Sequence, residues 1–98
     1  MKVQIQAQQF KADQKLVQFI QKKAAKLEQF FDHIIRTEVY LALEGGNGVK
    51  NKVVTVKLHI PGNQIAVTQS TKLFEHSTDL AISSLTRQLK KYKAKLRR

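Results

Sequence analysis

The sequence predicts an α+β domain of order βαβββα, a four-stranded sheet with two helices packed on one face. Three observations predict it. Four segments alternate apolar and polar residues with period two, two longer segments repeat apolar residues every three or four positions, and each segment is apolar on one side only. Such elements bury their apolar surface most simply when both helices lie side by side on the sheet, which leaves the other sheet face polar and solvated. With 98 residues the chain has the length of one domain with one modest core, so residues 1–98 are expected to form a single domain.

The first strand is read from KVQIQAQ at 2–8, where Val3, Ile5 and Ala7 face one way and Lys2, Gln4, Gln6 and Gln8 the other. From Asp13 the period changes. Leu16, Ile20, Ala24, Leu27 and Phe31 recur at helical spacing, Asp13 is a good N-cap residue, and neither Pro nor Gly interrupts before Asp32, which predicts a helix over 14–32. Alternation returns at Val39, Leu41 and Leu43, at Val54, Val56, Leu58 and Ile60, and at Ile65 and Val67. The glycine-rich stretch 45–51 separates the first two of these runs and Pro61-Gly62-Asn63 the last two, so the three read as an antiparallel meander. After Asn63 there is no Gly or Pro, and Phe74, Ala81, Leu85, Leu89, Tyr92 and Leu96 share one helical face, which predicts a second helix from about 72 to 96. Gln4, Gln6, Lys57, His59 and Tyr40 are left for the outer face of the sheet.

Eighteen Lys and Arg against seven Asp and Glu give a net charge of +11. Solubility alone needs far less, and so strong an imbalance fits a polyanionic partner. The charge is concentrated: residues 87–98, RQLKKYKAKLRR, hold seven basic residues and no acid, leaving eleven basic against seven acidic elsewhere. A helix built only for stability would intersperse Glu at i, i+4, and this one does not. At about 100° per residue, Arg87, Lys91 and Lys95 form an arc, and Lys90, Lys93 and Arg97 extend it around the side away from the core. In the first helix Lys15, Lys22 and Lys26 fall within about 40° of one another, a row suited to following phosphates along a groove. Together these residues predict an RNA-binding module with two basic helix faces.

Other functions are disfavoured. Without Cys the chain has no disulfide framework, Cys-containing zinc site or thiol chemistry. No run approaches a membrane span and MKVQIQAQQF is no signal peptide, so the expected compartment is the cytoplasm. The basic helix has no Trp anchor and its apolar face is committed to the core, which argues against a membrane partner. His33, His59 and His76 lack metal-ligand spacing, and Glu28 and Asp32 have no nucleophile nearby and read as surface ion-pairing residues. The GGNG of the loop lacks the ending of a phosphate-binding P-loop. The expectation is therefore a non-enzymatic protein with no cofactor, metal or small-molecule substrate. Phe19, Phe30 and Phe74 read as packing residues, and Tyr40 as the aromatic residue best placed to stack weakly on a base.

The segments AKLEQFFD at 25–32 and TRQLKKYKAKLRR at 86–98, in this order of elements, resemble the ribosome hibernation-promoting factor family, also called the ribosome-associated inhibitor or sigma-54 modulation family. The resemblance extends over essentially the whole chain. It implies a βαβββα domain that binds the small ribosomal subunit and its rRNA at the decoding region, overlaps the tRNA and messenger sites, and silences ribosomes in stationary phase or stress. It also implies basic contacts from Lys23 and Lys26 in the first helix and from Arg87, Lys91, Lys93 and Lys95 in the second. With the helical arcs, the expected RNA-binding set is Lys22, Lys23, Lys26, Arg87, Lys90, Lys91, Lys93 and Lys95. Two departures stand out: KLFEHSTD replaces the family's usual lead into the second helix, so that Leu73 or Leu80 is expected at the surface, and the chain ends at Arg98. The expectation is a short-form member, monomeric away from the ribosome. The rival readings are a double-stranded RNA-binding module, whose αβββα order lies within this one, and a protein-interaction regulator of transcription.

Overall fold

The computed structural model describes residues 2–45 and 51–96. Its elements are β1 (Lys2–Ala7), α1 (Gln14–Ala25), a 3₁₀ turn (Lys26–Gln29), β2 (Arg36–Glu44), β3 (Asn51–Ile60), β4 (Asn63–Thr71) and α2 (Phe74–Leu96). The strands form one sheet in the order β1-β2-β3-β4. β2, β3 and β4 make the antiparallel meander, whereas β1 runs parallel to β2, with Val3 opposite Thr37 and Ile5 opposite Val39. A parallel neighbour needs a long crossover, and α1 supplies it.

One face of the sheet carries the core. Val39, Leu41, Val54, Val56, Leu58 and Ile60 meet Leu16, Ile20 and Leu27 from the first helical segment and Phe74, Ala81, Leu85 and Leu89 from α2. Each of these is almost wholly removed from water, and burial at about 25 cal/mol per Å² of apolar surface is the main force holding the layers together. Phe10 closes one end by stacking on Phe74 at 5.4 Å. Phe31 closes another part by meeting Tyr92 edge-on at 5.7 Å. Among the described residues, no buried side-chain polar atom lacks a hydrogen-bond partner.

Local chemistry explains the boundaries. Asp13 Oδ1 accepts from the Leu16 amide at 2.7 Å, an N-cap bond. Asp13→Ala is expected to lose about 1 kcal/mol in a denaturant melt. The helix predicted over 14–32 is corrected: the α-helix ends at Ala25 and one 3₁₀ turn follows. Leu27 and Phe31 still reach the core, because a single tighter turn preserves a three-to-four spacing of apolar residues. Asp32 therefore lies beyond both helical pieces, 3.4 Å from the exposed His33 ring, and shares no helix with Glu28.

Between β3 and β4 the loop is Pro61-Gly62, with Ile60 opposite Asn63. Gly62 has φ 73°, as the second central position of a type II turn requires after Pro. The start of α2 lies two residues later than predicted and is tied down by hydroxyls. Ser77 Oγ donates to the Lys52 carbonyl at 2.7 Å and lies 2.8 Å from Thr71 Oγ1, while the Leu73 amide donates to Thr71 Oγ1 at 3.2 Å. Leu73 and Leu80 are exposed, at 62% and 39%, as their unusual context suggested. Leu96 is a second correction: placed on the core face by its spacing, it is 59% exposed. The core contacts of α2 end with the half-buried Tyr92, and every residue from Lys93 to Leu96 is exposed, so the last turn runs beyond the packed layers. Of the glycine-rich stretch, residues 46–50 lie outside the described residues, as does Arg97.

Candidate nucleic-acid interface

All eight expected RNA-binding residues belong to the helical layer, and all but Lys23 are exposed. The rotation of the helices sorts them into neighbourhoods that sequence spacing alone could not distinguish. Lys22 lies on the outer surface of α1 with Lys15, Gln18 and the half-buried Phe19. Lys26, assigned to the first helix, instead opens the 3₁₀ turn. Lys23 and Lys26 face Arg87 across a groove between α1 and α2. Lys90 stands beside that groove, with its ammonium 5.2 Å from the centre of the Phe30 ring, within cation–π range. Lys91 and Lys95 take the opposite flank of α2, near Tyr92 and Ile65 of β4. Lys93 is exposed on the last turns.

Lys23 is the least exposed of the set, its side chain 31% accessible. Its ammonium lies 3.2 Å from Asp79 on α2 and 5.5 Å from the centre of the Phe19 ring. The stem thus packs at the edge of the core while the charge bridges the two helices, as expected for a lysine at the border of an apolar stripe. Asp79 is half exposed, so this bridge contributes little to stability and mainly fixes where the Lys23 charge sits. Spacing within either helix could not have revealed the pairing of Lys23 with Asp79 or of Lys90 with Phe30, since both pairs span different elements.

The outer sheet face holds a second polar group that pattern reading only partly anticipated. His59 Nε2 donates to Glu38 Oε2 at 2.5 Å, Tyr40 Oη donates to Glu38 Oε1 at 3.1 Å, and Lys57 Nζ stands 5.3 Å from the centre of the Tyr40 ring. In the register, Glu38 opposes Lys57 and Arg36 opposes His59, so the His59 and Lys57 contacts are diagonal. The hydrogen bond from His59 is the main cause holding the Glu38 carboxyl below its ordinary value of 4.5, and the same carboxylate raises the Tyr40 hydroxyl above its ordinary 10.0. A carboxyl lowered in the folded state stabilises the fold above its unfolded pKa, and that stabilisation is lost as pH falls through the lower, folded value. Glu38→Gln is therefore expected to make thermal stability less sensitive to acidification below pH 4.5 than in the wild type. Equal acid sensitivity in both proteins would show that this network does not couple to folding.

Among the described residues no group of three His, Cys, Asp or Glu side chains could hold a metal ion, and no helix is long and apolar enough to cross a membrane.

A mixed four-stranded sheet carrying two helices, with lysines and an arginine lining a groove on the helical side, defines a class of small basic α+β domains. The chain belongs to the family described as sigma 54 modulation protein / S30EA ribosomal protein, which matches residues 3–97. It is 35% identical over 82 residues to a ribosome hibernation promoting factor of Escherichia coli, covering 84% of this chain and 82% of that one. It is 30% identical over 95 residues to one of Pseudomonas putida, covering 97% and 89%. A ribosome hibernation promotion factor of Bacillus subtilis matches at 31% over 81 residues, which is 81% of this chain but 41% of that longer protein. None of these names designates an enzyme. Two solved structures share the fold: a ribosomal subunit interface protein from Coxiella burnetii, with a TM-score of 0.84 at 24% identity, covers 96% of this chain and 99% of its own. The N-terminal domain of Thermus thermophilus Protein Y, with a TM-score of 0.82 at 20% identity, covers 94% and 99%.

Proposed function

We propose that the protein is a ribosome hibernation factor that binds rRNA of the small ribosomal subunit near the decoding region and occludes the tRNA and messenger sites. The observation that carries this reading is the exposure, on one layer, of Lys22, Lys26, Arg87, Lys90, Lys91, Lys93 and Lys95, with Lys23 bridging the two helices among them. Membership of the family and the names of its relatives supply the ribosome as partner. The mechanism is steric and electrostatic. The cations neutralise phosphates, the rigid sheet supplies bulk, and no bond is made or broken. Backbone and shape recognition suffice for structured RNA, so base-reading residues are not required for occlusion itself. In this reading residues 1–98 act as one ribosome-binding unit, cytoplasmic and monomeric away from the ribosome.

Sedimentation tests it. Added to idle small subunits and to duplex RNA at equal nucleotide concentration, the protein is expected to follow the subunits. Raising salt should release it steeply, since each neutralised phosphate contributes about 0.9 to the logarithmic salt slope. Preference for the duplex would favour a double-stranded RNA-binding module instead.

A further inference from the structure

We propose that the groove between α1 and α2 is a nucleotide subsite that takes one unstacked RNA base, with guanine preferred through Asp79. The proposal deepens the RNA-binding reading and rests on it for the nature of the ligand.

The chemistry of the lining is the first support. Lys26 and Arg87 place cations at the rim, while Phe30 and Ile82 give the groove an apolar surface. Phosphate binding needs cations only. An aromatic ring left partly open beside them matches what holds a splayed base, which stacks on aromatic side chains while its phosphate is neutralised nearby. The Lys90 ammonium lies over the Phe30 ring, 5.2 Å from its centre, so a base that stacks on that face takes its place and frees the flexible cation for the nucleotide's phosphate. Ser83 and Thr86 add hydroxyls. Thr86 donates to the Ile82 carbonyl at 2.8 Å, leaving its oxygen able to accept.

Asp79 is the second support. On a surface that only gathers phosphates, a carboxylate in the same groove is a liability. It is half exposed and held in place by Lys23, which lies 3.2 Å from Oδ1. An ionised carboxylate offers several acceptor positions over two oxygens, so one lysine contact does not exhaust it. Guanine is the base whose Watson–Crick edge presents two adjacent donors, its ring N–H and its exocyclic amine, and a carboxylate accepts both. Adenine, cytosine and uracil each set an acceptor beside the donor. Asp79 thus converts a liability towards phosphate into discrimination between bases.

The test is an NMR titration of the full chain with guanosine monophosphate, uridine monophosphate and inorganic phosphate, for the wild type and for Asp79→Asn. Phosphate is expected to shift Lys26 and Arg87 signals only, and both nucleotides to shift the Phe30 ring protons as well. Guanosine monophosphate should bind about fivefold more tightly than uridine monophosphate or better, the lower end of a bidentate base contact. Asp79→Asn should bring that ratio close to one without weakening uridine monophosphate, since a negative charge near the phosphate is removed. Phe30 protons that do not move, a wild-type ratio of one, or a ratio unchanged by Asp79→Asn would each overturn the proposal. Ribosome binding measured on the same samples separates the two readings: retained ribosome binding with a failed titration removes the subsite alone, and the reverse removes the ribosomal function alone.

Discussion

Reversing two charges, Arg87→Glu with Lys91→Glu, is expected to weaken binding to small ribosomal subunits on the order of a hundredfold, since placing like charge against phosphate costs several kcal/mol. Both side chains are exposed, Arg87 in the groove that faces α1 and Lys91 on the opposite flank of α2, so the variant should keep its melting transition and its far-UV spectrum. If each residue meets one phosphate, the salt slope of the residual binding should be shallower by about two. Reversal of Lys57 on the outer sheet face, by contrast, should leave ribosome binding nearly intact, because it lies across the sheet from the basic helices. Equal losses from the two variants would mean that net charge matters and its location does not.

The largest expected effect on stability comes from Leu85→Ala. Leu85 is fully buried under α2, and removing its isobutyl group costs about 2–5 kcal/mol through lost transfer energy and the cavity left behind. Against a total of about 5–15 kcal/mol for an ordinary domain, this is a large fraction. It should lower the melting temperature by roughly 10 °C or more. Leu96→Ala is the matched comparison: the same substitution three turns on along the same helix face, at a residue 59% exposed, should change stability by no more than about 0.5 kcal/mol. A thermal melt of both variants therefore tests where α2 leaves the core.

That pair also marks where sequence periodicity stops being informative. The strands were legible because Val54, Val56, Leu58 and Ile60 alternate strictly with polar residues and one sheet face is dry. The parallel placement of β1 follows from the helical crossover rather than from any residue in KVQIQA. Leu27 and Phe31 kept a helical spacing through a 3₁₀ turn, since one turn is too short for a period of 3.6 to be told from a tighter one. Leu96 has the correct angle on the helix, but angle says nothing about where the neighbouring layer ends.

The interface divides in the same way. Its cations could be read directly, because seven basic residues without an acid at 87–98 leave a helix no internal partner. Its groove could not. Phe30 and Lys90 are sixty residues apart, and Lys23 and Asp79 fifty-six; only the docking of α1 and the 3₁₀ turn that follows it on α2 brings them together. Likewise Glu38, Tyr40, Lys57 and His59 were recognisable as outer-face residues from alternation, while their hydrogen bonds depend on the β2–β3 register. Single-element features survive in sequence, and contacts between elements need the fold.

Chemical probing of small-subunit rRNA with the protein bound tests most directly whether the basic helices seat the domain where tRNA and messenger bind. Protection is expected over the decoding region, weakened by Arg87→Glu with Lys91→Glu and displaced when tRNA and messenger occupy their sites. Protection confined to another part of the subunit, or a footprint that persists unchanged with tRNA and messenger in place, would contradict it.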